Sequence, residues 1–225
     1  MAIINFVQTA TADNLSAVNP TVVPLPLAQS VGDLLLIISN TDPALTPSTP
    51  TDTVGNKYYP IGTAISDADY SQTVWVCLSA KAAGANANSV TQSQTGGTPG
   101  TGTTSVRVYH FSPQAGYVWV IDQFTHASGN STAVNPGTFS TRYPNEVAFA
   151  KSGVSFHDTA GAGGSWVTTA NDGLGDASQY LITTSLALGA NISGSFTQSG
   201  ANTWVCSMAS IAAVATPLPV EWWFT

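Results

Sequence analysis

Short apolar or alternating runs recur along the whole chain, each closed by a cluster of Gly, Pro, Asn, Asp or Ser. That is the pattern of an antiparallel β protein. About a dozen strands are expected, over residues 2–8, 21–27, 33–39, 57–61, 72–79, 104–111, 117–122, 131–139, 146–156, 180–188, 191–197 and 203–214. Residues 72–79 alternate cleanly, with Val74, Val76 and Leu78 on one face and Thr73, Trp75 and Cys77 on the other, the period of a strand. The run Leu34, Leu35, Leu36, Ile37 and Ile38 has no polar face to offer to water and predicts a central strand covered on both sides. Only residues 208–215 hold a short Ala-rich stretch with any helical character, and because it continues the run 204–207 it reads as strand.

Three segments, 41–53 with three prolines, 93–104 and 160–178, are loop-like in composition. Such loops belong at the ends of a sandwich, where binding residues are often displayed. No internal repeat and no long polar linker is legible. A single β-sandwich domain over 1–216 is therefore expected, followed by an extended arm, 217–225.

Composition narrows the surface. Of 225 residues, 43% are hydrophobic and only 8% charged, with five Lys and Arg against twelve Asp and Glu. The apolar share excludes a disordered chain, and the outer faces must be polar yet almost uncharged. Five scattered cations cannot neutralise a run of phosphates, which argues against direct nucleic-acid binding. The first residues lack the basic and apolar regions of a signal peptide, and no stretch approaches the 18 apolar residues of a membrane helix, so a soluble chain made in a cytoplasm is expected. Cys77 and Cys206 each lie in a Trp-Val-Cys run; two buried free thiols are expected, with a bridge left open if the strands are neighbours.

Candidate chemistry is thin. His110, His126 and His157 occupy three separate segments without metal-ligand spacing. No nucleophile elbow, phosphate loop or dinucleotide fingerprint occurs. The acids Asp67, Asp69 and Glu146 show no spacing that places a catalytic pair across a cleft. The stretch Asn171-Asp172-Gly173-Leu174-Gly175-Asp176 has calcium-type ligands but lacks the alternating acids and closing glutamate of an EF-hand, and reads as a turn. No catalytic residue, metal or cofactor is expected, and an enzyme is the least favoured class.

The segment Asp52-Thr53-Val54-Gly55-Asn56-Lys57-Tyr58 is a turn followed at once by a strand. It follows Val31-Gly32-Asp33-Leu34-Leu35-Leu36 and precedes Thr73-Val74-Trp75-Val76 and a final Trp-containing, Ala-rich strand. In that order the chain, over about 29–216, resembles the jelly-roll-like β-sandwich domains of phage virion proteins and some bacterial surface proteins. The resemblance implies a jelly-roll-like fold and a virion setting; it identifies no active site.

The arm carries Leu218 between two prolines and ends on Trp222, Trp223 and Phe224. A proline-stiffened segment loses little entropy on docking and aromatics anchor interfaces, so these four residues are candidate interface residues, with folding back onto their own sandwich as the alternative. The leading expectation is a non-enzymatic virion protein, a capsid decoration, cement or fibre subunit, that contacts itself as a homo-oligomer such as a trimer, or a major capsid protein. The alternative is a carbohydrate- or receptor-binding module recognising a host surface glycan, with Tyr58, Tyr59, Tyr70 and Tyr117 as candidate stacking rings.

Overall fold

A computed structural model of the chain describes residues 3–14, 19–96, 103–154, 158–160, 165–169, 176–183 and 188–216. The described residues are all-β, in nineteen strands. Those of the first half are β1 (Ile4–Asn14), β2 (Thr21–Leu25), β3 (Leu34–Thr41), β4 (Leu45–Pro47), β5 (Thr51–Asp52), β6 (Tyr59–Pro60), β7 (Ile65–Ser66), β8 (Ser71–Cys77), β9 (Asn88–Gln92), β10 (Gln94–Gly96) and β11 (Thr104–Pro113). The second half holds β12 (Tyr117–Val134), β13 (Thr138–Ser140), β14 (Glu146–Val154), β15 (Asp158–Ala160), β16 (Val167–Thr169), β17 (Ser178–Ile182), β18 (Asn191–Ser193) and β19 (Phe196–Ala215).

Two large antiparallel sheets face each other. The first is ordered β1-β11-β3-β8-β6 with β7 also on β8; the second is β12-β19-β14-β17-β16 with β15 also on β19. Between them lies an apolar core to which the first sheet gives Ile4, Leu34, Leu36, Ile38, Val76, Tyr109 and Phe111 and the second gives Trp119, Val147, Phe149, Tyr180, Ala209 and Ile211. Rings interlock across the gap: Phe6 of β1 stacks on Tyr180 of β17 at 4.5 Å between centroids.

Each large sheet is covered on its outer face as well. The sheet β2-β9-β5 closes a second core of Val23, Leu25, Leu35, Ile37, Tyr58, Trp75, Cys77, Val90, Val106 and Val108. The pair β13-β18 helps close a third, with Phe139, Ala148, Leu181, Ile192, Trp204, Cys206 and Met208. This layering explains why β3 is apolar at consecutive positions: Leu34, Leu36 and Ile38 enter the inter-sheet core while Leu35 and Ile37 enter the outer one, as residues of alternate parity must. Cys77 and Cys206 belong to different outer layers and both are free thiols.

The two halves repeat one topology, where the sequence showed no repeat. β1, β2, β3, β6, β8, β9 and β11 correspond in order to β12, β13, β14, β16, β17, β18 and β19, and each of the five pairings in the first set has its counterpart in the second. The register agrees in detail. β1 is bulged between Phe6 and Gln8 against β11, and β12 between Ile121 and Gln123 against β19. Aligning the bulges matches Phe111 with Ile211 and Leu34 with Val147, and all four face the inter-sheet core. The repeat escapes the sequence because it is one of pairing and burial pattern, which many side chains satisfy. Indeed the one visible echo, Trp75-Val76-Cys77 and Trp204-Val205-Cys206, falls on β8 and β19, strands that do not correspond.

Candidate functional site

Three places gather chemistry-bearing side chains. The first is a buried corner of the first sheet. Asp33, which precedes β3, accepts from the Ser30 amide at 2.8 Å and the Ser112 hydroxyl at 2.6 Å, and its Oδ2 lies 2.6 Å from His110 Nε2. The other ring nitrogen, Nδ1, lies 3.1 Å from Gln8 Nε2, which also donates to Leu27 O. An amide nitrogen can only donate, so Nδ1 accepts and Nε2 carries the proton given to Asp33. Burial alone would raise the Asp33 pKa, but the bonds from His110, Ser112 and Ser30 outweigh it and hold the carboxyl below its ordinary value. Ser112 gives its proton to the acid and not to the imidazole, so the three residues lack the serine–histidine bond a nucleophile requires. In the second half Glu146 takes the place of Asp33, accepting from the amides of Arg142 and Tyr143 at 2.8 and 2.6 Å. The same corner is thus clamped in both halves, once with a histidine and once without, which marks it as structural.

The second place is the far end of the inter-sheet core, which turns from apolar to charged. Lys151 of β14, fully buried, meets Asp176 at 2.9 Å with both side chains inaccessible. Asp176 also accepts from Val154 N at 3.0 Å and from Asn40 Nδ2 at 2.5 Å. Gln72 Nε2 ties Asn40 Oδ1 and Lys151 O together at 2.8 and 3.1 Å. Arg107 Nη1 and the Tyr109 hydroxyl reach Thr169 Oγ1 at 3.3 and 3.1 Å. Asp158 lies near this group; burial first, then the charge of Asp176, raise its pKa to about 7 against the pull of Ser152 and Lys151. Asp176 spends its carboxylate on protein donors; the rest of the candidate calcium loop, 171–175, lies outside the described residues, as does His157. Among the described residues no three His, Cys, Asp or Glu side chains gather as a metal would need.

The third place is open. A cavity of about 320 Å³ is lined by Gly55, Asn56, Lys57, Tyr59, Cys77, Leu78, Ser79 and Lys81. Its lining residue Asn56 is held from behind by Asp52, which accepts from Asn56 N at 2.9 Å, Asn56 Nδ2 at 2.7 Å, the Tyr58 hydroxyl at 2.7 Å and Asn88 Nδ2 at 3.0 Å. Burial would raise the Asp52 pKa, yet these donors lower it. Asn56 Oδ1 in turn accepts from Lys81 N at 2.7 Å, joining the turn before β6 to the turn after β8.

The four candidate tyrosines part company. Tyr58 is 6% exposed and belongs to an outer core, so its ring faces are covered; Tyr59, next along the chain, is 55% exposed on the cavity. Tyr70 is half-buried in a turn where its amide donates to Asp67. Tyr117 is half-buried against the inter-sheet core and lines a separate cavity of about 330 Å³ beside Gly116. Asp67 caps that first turn, and Asp69 accepts from the Thr203 hydroxyl. The candidate interface residues Leu218, Trp222, Trp223 and Phe224 lie outside the described residues. Sequence reasoning missed Lys57 and Lys81 as site residues; their signal was scarcity, since they are two of only five cations.

No protein-family model matches the chain, and no curated protein matches it.

Proposed function

We propose that this chain is a non-enzymatic structural protein of a virion, a capsid decoration, cement or fibre subunit that assembles with itself or a capsid protein through apolar and main-chain contacts. The observation that carries this reading is β12. It is an 18-residue strand at the edge of its sheet that among the described residues pairs only with β19, and Val118 and Ile121 on it are exposed. A long unpaired strand edge is a template for another chain. The β19 end, from which the aromatic arm departs, is tied to that edge, with Ala215 opposite Tyr117 and Thr216 N donating to Gly116 O at 2.8 Å. The arm residues Leu218, Trp222, Trp223 and Phe224 would then anchor a neighbouring subunit.

The jelly-roll part of the resemblance carries none of this. The chain completes its first large sheet within Ile4–Pro113 and builds the second from Tyr117 onward, whereas a jelly roll interleaves strands between its sheets through Greek-key connections. Light scattering on the full chain and on 1–216 tests assembly. We expect an oligomer, a trimer being one closed solution, that falls to monomer on truncation or with Val118→Lys and Ile121→Lys together. A full chain that is monomeric at all concentrations and leaves native particles undecorated in electron micrographs sinks the proposal. With so few charges at hand, association should change little with added salt.

A second reading, a receptor- or carbohydrate-binding module on a virion or bacterial surface, draws on the exposed Tyr59 ring and its cavity.

A further inference from the structure

We propose that the cavity beside Tyr59 binds an anionic sugar, with the Tyr59 ring as stacking platform and the ammonium groups of Lys57 and Lys81 receiving a carboxylate or sulfate. The inference rests on the carbohydrate-binding reading and adds the ligand's charge and its site.

The charge distribution points there. The protein has five cations and a net charge of −7. Arg107 and Lys151 are buried, and Arg142 lies 3.6 Å from Asp122. The remaining two, Lys57 and Lys81, both exposed, line one cavity, and among the described residues neither is ion-paired with a carboxylate. Lys81 reaches across Gly55, whose φ of +73° favours glycine and where a Cβ would stand 3.4 Å from Nζ. The adjacent Asp52 is occupied by four protein donors, so a ligand anion meets cations without having to displace a carboxylate. The Asn56–Lys81 bond fixes the two lysine-bearing turns relative to each other, which lowers the ordering cost of binding.

The internal repeat supplies a control. Tyr59 opposes Val76 as Val167 opposes Tyr180, and Tyr58 and Trp166 both pack into the outer layers of their halves. Lys57 and Tyr59 therefore correspond to Ser165 and Val167, and Val167 is as open as Tyr59, at 47% against 55%. The architecture is satisfied by Ser and Val at these positions. Lysine and an exposed aromatic are additions that the fold does not require, and an aromatic beside cations is what a charged pyranose needs.

Titration calorimetry with sialyllactose, sulfated lactose and lactose on the full chain tests the site. The expected result is binding of one or both acidic sugars at least about tenfold tighter than lactose, weakened by salt. The pair Lys57→Ser and Tyr59→Val, and separately Lys81→Ala, should each lower that affinity by about tenfold or more with the melting temperature unchanged. Equal binding of lactose and the acidic sugars, lost on Tyr59→Val, overturns the anionic inference while leaving carbohydrate binding intact. Acidic-sugar binding untouched by these substitutions overturns the site. If none of the three sugars binds and an array of neutral and acidic glycans is also silent, the inference falls together with the carbohydrate reading, while assembly is judged separately by light scattering.

Discussion

Gln8 and Gln123 hold the same position in the two halves: each follows the bulge of its edge strand and donates through Nε2 to a main-chain carbonyl six residues before the acid that opens the next large strand. Gln8 reaches Leu27 O at 3.1 Å ahead of Asp33, and Gln123 reaches Ser140 O at 2.5 Å ahead of Glu146. A bulge re-aims the side chain that follows it, and here it turns each glutamine toward the segment that crosses to the outer layer.

The two glutamines should differ in energetic weight. Gln8 is buried and also receives Leu27 N at 3.0 Å while donating to His110 Nδ1, so Gln8→Ala leaves several buried groups unpaired and should cost about 1–3 kcal/mol. Gln123 serves a more open site, and Gln123→Ala should cost clearly less. Urea unfolding of both variants decides; equal losses would refute the ranking.

Removing Lys151 takes a buried ion-pair partner from the Asp176 carboxylate inside the sandwich. Its counterpart in the first half is Ile38, an apolar core residue, so the site accepts an aliphatic shape. Lys151→Ile alone should cost about 3–5 kcal/mol, and adding Asp176→Asn should recover part of it by removing the buried charge while keeping an acceptor for Val154 N. A single-substitution loss below about 1 kcal/mol would contradict a buried ion pair here.

Stability should peak in mild acid. The Asp158 pKa of about 7 and the raised Glu146 value, both due first to burial, mean that the native state keeps protons the unfolded chain has lost. Stability therefore falls as pH rises from the ordinary carboxylate range toward about 7. Asp33 and Asp52, held low by their donors against burial, act oppositely: their contribution is present above the ordinary value and lost as pH falls through the depressed one. Asp158→Asn should flatten the decline between about pH 5 and 7, leaving the share due to Glu146. Parallel pH profiles for parent and variant, followed by thermal melting, would count against this.

Gly62 is where the sheets touch at an edge. It has a φ of +66°, and a Cβ there would run into the Phe124 ring of β12. Gly62→Ala should cost about 2 kcal/mol or more through backbone strain and the clash together. Phe124→Ala in that background should relieve only the clash, so the cycle separates the two. Additive losses would show that the contact is not limiting.

The layering of β3 could be read from five consecutive aliphatics, because no other arrangement spares them water. Residues 72–79 gave their two faces away by alternation. The 18-residue β12 is less legible: Gly129, Asn130 and Ser131 look like turn formers, yet they continue the strand because β19 supplies partners along its length. Short strands such as β5, β7 and β16 carry no periodic signal at all, being two or three residues long. The Tyr59 site was half visible. The ring was named as a candidate from its place near a loop, but the lysines lie 24 positions apart in the sequence and meet only because the turns before β6 and after β8 share one sheet edge.

By itself the sequence determined that the chain is β, that its strands are apolar enough to be covered on both faces, and that its surface carries almost no charge, since these follow from local periodicity and composition. Only the tertiary structure decided that two halves repeat one topology, that Lys151 and Arg107 point inward while Lys57 and Lys81 point outward, and that Tyr58 is core and Tyr59 is surface. Pairing register and burial depend on partners distant along the chain, and a one-residue step in a strand reverses the face a side chain meets.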